Sequence, residues 1–289
     1  MSHATDDAGL THDDHAHDDH CAHHDHAARE YHGPAQFAPH PTDSAGQPWA
    51  GRSFHANPHA GDDGTADAAL LAALSAFHAG DGDPAAIVDA YRTARLLIPL
   101  VTSKGDDGVA PSGLHVDKTH ELSIVTLAAP DGRRVQPVFT SVEAVTRWDA
   151  TARPVPAEGI RTALAAADDD TDLIVIDPGS PTEYVLRRPA VWAVAQQIPW
   201  VPSFRNTEVF EGLQESIARE LAVVDLQVAP GDPDGRLRGP ELIVRLTLVD
   251  GLDQQELDSV LSRLAKRWAA DDRIATLVDS LSVKLVRSE

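Results

Sequence analysis

Val138–Trp148 (VFTSVEAVTRW) and Leu173–Pro181 (LIVIDPGSP) decide the fold. Each is a short apolar run that ends in a polar turn. In the first, Val135 to Phe139 reads as a strand, and Thr140 with Glu143 has capping-box spacing for a helix reaching Trp148. In the second, Leu173 to Ile176 is continuously apolar, the pattern of a central strand covered on both faces.

Working outward, Leu70, Leu71, Leu74 and Phe77 predict an amphipathic helix after Asp67. Asp83-Pro84 predicts the start of a second helix, with Ile87, Val88, Tyr91 and Ala94 inward. Leu96 to Val101 is a strand, placed at a sheet edge by Pro99. A strand from Leu122 to Leu127 then turns at Pro130-Asp131-Gly132. Arg153-Pro154-Val155-Pro156 reads as a connection, followed by a helix facing inward through Ile160, Ala163, Leu164 and Ala167. Tyr184 to Leu186 is a strand, and Pro189 opens a helix with Val191, Trp192 and Ala195. Trp148, Trp192 and Trp200 are expected in the core or at the domain junction.

Beyond Pro202 the order is α-β-β-α-β. A helix presents Phe210, Leu213 and Ile217, and strands run over Val223–Val228 and Leu242–Val249. A helix capped by Asp253 and Glu256 and a strand from Leu281 to Val286 complete the unit. The expected class is mixed α/β (α+β): a central mixed sheet flanked by helices, plus a smaller C-terminal unit. The expected division is a leader over residues 1–66, an α/β domain over 67–201 and an α+β domain over 202–289.

Charge is one-sided. Among 289 residues, 24 Lys and Arg face 45 Asp and Glu, a formal −21. Such a surface repels phosphate backbones and anionic lipid, which argues against nucleic acid and membranes as partners. Cys21 is the only cysteine, so no disulfide forms within the chain. No apolar run approaches the ~20 residues that span a bilayer, and the His- and Asp-rich start lacks a signal pattern. A cytoplasmic setting is expected.

The leader has too few large apolar residues to offset its ordering entropy, and disorder is expected. Its centre, His12 to His26, places His12, His15, His17, His20, Cys21, His23, His24 and His26 among aspartates. Neutral imidazole is a good ligand for zinc or nickel, and nearby carboxylates concentrate cations. Donors this close on a flexible chain imply several weak, exchanging sites rather than one closed site. No cofactor is required by anything else in the sequence.

From Leu96 to Trp192 the chain resembles the SseB family, the "enhanced serine sensitivity" proteins. The resemblance rests on Leu97-Ile98-Pro99-Leu100, on Val138-Phe139-Thr140-Ser141 with Trp148, and on Asp177-Pro178-Gly179. Val185-Leu186 and Pro189-Ala190 complete it. The region after Pro202 resembles the second domain of some members less distinctly. The resemblance implies a mixed α/β cytoplasmic protein and carries over no catalytic residue. The His-rich leader departs from the family pattern.

Elsewhere the candidates are sparse. Thr140, Ser141 and Asp177 stand where strands end in turns, a place that suits a bound ligand. Capping and a plain turn explain the same residues. His115, Asp117 and His120 share one loop without a fourth donor at useful spacing. Arg187-Arg188 and Arg236/Arg238 are short basic points expected to meet nearby carboxylates. There is no Gly-x-x-x-x-Gly-Lys loop, no strand-linked Gly-x-Gly-x-x-Gly and no Gly-x-Ser-x-Gly elbow. The leading expectation is therefore a non-enzymatic module that docks a protein partner, as yet unidentified, or a small ligand. Divalent-metal buffering through the leader is the alternative, and an unrecognised enzyme acting near Asp177 is the third. The isolated leader should take up zinc or nickel in a neutral-pH titration; no uptake below millimolar metal would remove the metal reading.

Overall fold

Asp67 begins the folded pattern by accepting from the N–H groups of Ala69 and Leu70, which caps α1 (Ala68–His78). Asp83 does the same for α2 (Pro84–Thr93) by accepting from the Ala85 N–H, and Pro84 fits its first turn. In the computed structural model, residues 61–103, 121–168 and 171–287 are described. They lie in one compact unit, Asn57–Glu289. The remaining elements of its first half are β1 (Arg95–Ser103), β2 (Glu121–Ile124), β3 (Leu127–Ala128), β4 (Arg134–Val138) and α3 (Val142–Trp148). These are followed by β5 (Arg153–Glu158), α4 (Gly159–Asp168), β6 (Ile174–Ile176), β7 (Tyr184–Leu186) and α5 (Arg188–Ala195). After a short 3-10 turn come α6 (Thr207–Ile217), β8 (Val223–Pro230), β9 (Leu242–Leu248), α7 (Gln254–Ala270), α8 (Asp272–Leu277) and β10 (Leu281–Arg287).

Among the described residues there are three sheets, ordered β2-β1-β5, β3-β4-β6-β7 and β10-β9-β8. The second is mixed, with β4 parallel to β6 and β7 antiparallel to β6. The third is also mixed, with β9 antiparallel to β8 and parallel to β10. The class is mixed α/β as expected. A bridge between Leu97 and Phe139, closed by two N–H···O bonds of 2.8 and 2.9 Å, joins the first sheet to the end of β4.

The prolines of the first sheet show why two local expectations change. β1 is the middle strand, not an edge, because Arg153–Glu158 is itself a strand. Pro99 lies opposite Pro154, and Leu97 opposite Pro156. Leu97 spends its N–H on Phe139, away from β5. By the two-residue alternation, Pro99's nitrogen faces the same side, in the gap between Phe139 and the end of β2 at Ile124. The missing donors of Pro154 and Pro156 point out from β5, which is the real edge. The expected strand Leu122–Leu127 also divides: β2 pairs with β1, and β3 with β4.

β6 alternates between two cores. Ile174 and Ile176 join Leu70, Leu74, Ile87, Val88, Tyr91, Val138, Leu186 and Val191 under α1, α2, α4 and α5. Val175 and Val185 point the other way, with Val135 and Leu173, and are covered by Leu237 from the β8–β9 loop. A further core of Val209, Leu213, Leu226, Leu242, Val244, Leu246, Val260, Leu264 and Trp268 fills the second half.

Two helices are rotated from their expected faces. α4 buries Gly159, Thr162, Ala163 and Ala166 and leaves Leu164 exposed. The Thr162 hydroxyl donates to the Gly159 carbonyl at 2.7 Å, and the Tyr91 hydroxyl donates to Thr162 at 2.5 Å. This bond and the small residues bring α4 against α2. Likewise α6 buries Val209, Gly212, Leu213 and Ser216 and exposes Phe210, because Ser216 accepts the buried Trp268 indole N–H at 2.7 Å. α8 was not anticipated; Asp271 caps it directly after α7. Trp192 is about one-third exposed and donates to Asp172, so it is not a core residue. Trp148 packs on Phe139.

A Cβ at Gly159 would lie 1.9 Å from the Tyr91 carbonyl oxygen, so Gly159→Ala must separate α4 from α2. The expected loss is about 3 kcal/mol, the scale of a severe overpacking defect. Urea unfolding of the variant against the parent measures it.

Candidate binding cleft

β7 ends at Leu186, and the next residue cannot follow its alternation into either core. Arg187 is instead turned toward the second half of the unit, 8% exposed, and meets polar groups there. Its guanidinium donates to Asp232 at 2.7 Å and to Asp279 at 3.1 Å, with further bonds to the Gly239 carbonyl at 2.8 Å and the Ser280 hydroxyl at 3.2 Å. Arg133, just before β4, holds the same Asp279 with two bonds of 2.8 and 2.9 Å and reaches Asp131 as well. Arg188 adds bonds to the carbonyls of Ala275 and Val278. Three arginines of the first half thus grip the β8–β9 loop and the approach to β10.

Burial alone would raise the Asp279 carboxyl, yet Arg133 and Arg187 hold it below the ordinary carboxylate range. Glu241 is the counterexample. Burial pushes its carboxyl up, against the N–H of Asp279, which donates to it at 2.6 Å, and the lowering influences of Ser203 and Arg187. No ion pair reaches Glu241 among the described residues. The almost fully buried Ser203 hydroxyl lies beside it and meets no other polar atom.

Of these groups, Arg187, Asp232 and Glu241 line a cleft of about 260 Å³. Phe77, Tyr184, Trp200 and Phe204 supply rings, Arg187, Arg205, Asp232 and Glu241 supply charge, and prolines 84, 202, 230 and 233 complete much of the rest. Phe77 meets Tyr184 edge-on, with centroids 5.1 Å apart. The close approach of the β8–β9 loop depends on Gly235. Its φ is +65°, and a Cβ there would lie 2.5 Å from the Tyr184 ring. Its carbonyl accepts from Val185 N–H at 2.7 Å, extending the pairing of β7 into that loop. Arg205 closes onto Asp83 with two bonds and lies over the Phe204 ring.

The residues singled out from sequence lie elsewhere. Asp177, buried and with φ of +47°, accepts from the Thr140 N–H and hydroxyl at 2.8 Å each and from the Thr182 hydroxyl at 3.0 Å. Thr140 and Asp177 therefore come together, but as a staple between the turns after β4 and β6. The cap of α3 is Ser141, not Thr140: Ser141 accepts from Ala144 N–H, while Glu143 pairs with Arg147. None of Thr140, Ser141 or Asp177 lines the cleft. His12, His15, His17, His20, Cys21, His23, His24 and His26 lie outside the described residues, as do His115, Asp117 and His120. Among the described residues no three His, Cys, Asp or Glu side chains converge to hold a metal ion. No helix there is long and apolar enough to cross a membrane.

The cleft residues carried little local signal. Arg187 is legible only as a basic point after a buried strand, and no motif or spacing marks Asp232, Glu241 or Asp279. The one available cue was the placement of an arginine directly after an all-apolar strand, where a buried counter-ion is needed.

Asp279→Asn leaves Arg187 buried with part of its charge unmatched, and should cost about 3 kcal/mol at neutral pH. Because the folded-state value of Asp279 is depressed, this stability is present above its unfolded value near 3.8 and lost as pH falls through the folded value. Denaturant melts of both proteins should therefore converge in acid. A gap that stays constant down to strongly acidic pH would contradict the assignment.

No curated protein and no solved structure matches the chain. Residues 68–193 match the family model described as the SseB protein N-terminal domain. That span runs from α1 through most of α5 and contains the bridged sheets, the Thr140–Asp177 staple and Arg187. The first half of the folded unit is thus similar to the SseB protein N-terminal domain over residues 68–193.

Proposed function

We propose that the protein is a non-catalytic binding module whose ligand occupies the cleft between the SseB N-terminal domain and the C-terminal α+β half. The observation that carries this reading is the composition of the cleft: rings from both halves surround a concave space whose charged groups are mostly held by one another. Arg187 is engaged by Asp232 and Asp279, and Arg205 by Asp83. Groups so committed hold a shape rather than turn over a substrate. The polar side chains lining the cleft are Tyr, Arg, Asp and Glu, without a paired nucleophile and base. The occupant is a small molecule, or one side chain of a protein partner, with an apolar or planar body. A cytoplasmic setting belongs to the same proposal.

Metal handling by His12 to His26 is a second reading, favoured by the spacing of its imidazoles and aspartates alone. It is independent of the cleft and calls for no other part of the chain.

Ligand-observed NMR with a library of small cationic, neutral and anionic aromatic compounds tests the cleft. Binders should be recovered with the full chain and lost with Phe204→Ala, which removes a partly exposed wall ring. Binders indifferent to Phe204→Ala, or an empty screen, would overturn the proposal.

A further inference from the structure

The charges at the cleft do not cancel. Of its two arginines, Arg187 meets Asp232 and Asp279, and Arg205 meets Asp83. Asp232 also accepts from the N–H groups of Leu237 and Arg238. Glu241 is left over. Its carboxylate can accept about four hydrogen bonds, and one oxygen takes the Asp279 N–H. No guanidinium or ammonium of the described residues pairs with it. Its one side-chain neighbour is the buried Ser203 hydroxyl, which meets no other polar atom and carries no charge to match the carboxylate. Ser203 opens the 3-10 turn Ser203–Arg205, and Pro202 and Phe204 beside it line the cleft.

A partly buried carboxyl lacking a cation is a costly feature. It is explained if the missing cation enters from the cleft that Glu241 lines. The walls favour the same sign of ligand. The rings of Phe77, Tyr184 and Trp200 carry the negative end of the quadrupole on their faces and attract cations, as Phe204 already does Arg205. An anion would instead meet Glu241 and Asp232 at close range, on a chain with a formal charge of −21.

We infer that the cleft takes a compact organic cation, an alkyl- or arylammonium group, with its N–H donors on Glu241 and its apolar part among the rings. The inference rests on the binding reading proposed above and specifies its ligand class. Burial of Glu241 agrees with it, since an ammonium partner offsets the desolvation that pushes its carboxyl up.

Benzylamine, benzyl alcohol and phenylacetate serve as matched cationic, neutral and anionic probes for calorimetric titration of the full chain. Benzylamine should bind about tenfold or more tightly than benzyl alcohol, as expected of a charge-assisted contact, and phenylacetate should bind weakest. Glu241→Gln keeps an oxygen to accept the Asp279 N–H, so the fold should persist by circular dichroism while the preference for the amine disappears. Trp200→Ala should weaken both benzylamine and benzyl alcohol. Equal binding of amine and alcohol, or an amine preference unchanged in Glu241→Gln, would overturn the cationic assignment and leave the cleft itself standing. Absence of benzylamine binding also overturns it. Failure of every charge class in the library screen is the separate result that removes the cleft.

Discussion

The buried guanidinium of Arg187 is the constraint on which the arrangement of this protein turns. A charge at 8% exposure is tolerated only with matched partners, and among the described residues the hydrogen-bond partners of this guanidinium lie in the other half of the unit. The corner between β7 and α5 is thereby tied to the β8–β9 loop and to the start of β10. Such a pair adds little net stability over an apolar contact of the same volume. Its role is to make one geometry far better than its neighbours, since any displacement strands a buried charge. The cleft exists because that corner and that loop are held at one distance.

Packing follows from the same corner. The outer face of the β3-β4-β6-β7 sheet is apolar at Val135, Val175 and Val185 and has no helix of its own over it. Leu237 covers it, carried by a loop that reaches the sheet only because Gly235 leaves room for the Tyr184 ring. The close contact of α4 on α2 is a second case in which absence of a side chain sets the geometry, at Gly159. Both glycines stand at contacts between elements distant in sequence, where a backbone has to approach more closely than any Cβ permits.

The electrostatic character of the cleft is a remainder rather than a pattern. Acidic residues outnumber basic ones along the whole chain, so the arginines near the cleft are drawn into pairs and an acid is left without one. Glu241 is that acid, and it shares the lining of the cleft with Phe77, Tyr184, Trp200 and Phe204. The match to the SseB N-terminal domain covers residues that build one wall. The other wall, with Asp232 and Glu241, lies beyond the residues matched, so the site belongs to the combination of the two halves.

Much of the architecture was legible from local chemistry. The caps at Asp67, Asp83 and Asp253, the apolar run at β6 and the period-two strands of the second half each depend on neighbours a few residues away. So does the order of elements, and with it the mixed α/β class. The misreadings share one cause. The edge role given to Pro99, the connection read at Pro154 and Pro156, and the faces given to α4 and α6 were settled by contacts across many residues. The candidate site shows this most strongly: Thr140 and Asp177 do meet, but in a staple, while the cleft draws on residues from Phe77 to Glu241 that no spacing rule links. Periodicity and capping are short-range, so the chain alone determines which segments are helices and strands. Which charge lacks a partner depends on where every other charge ends up, and only the tertiary structure decides that.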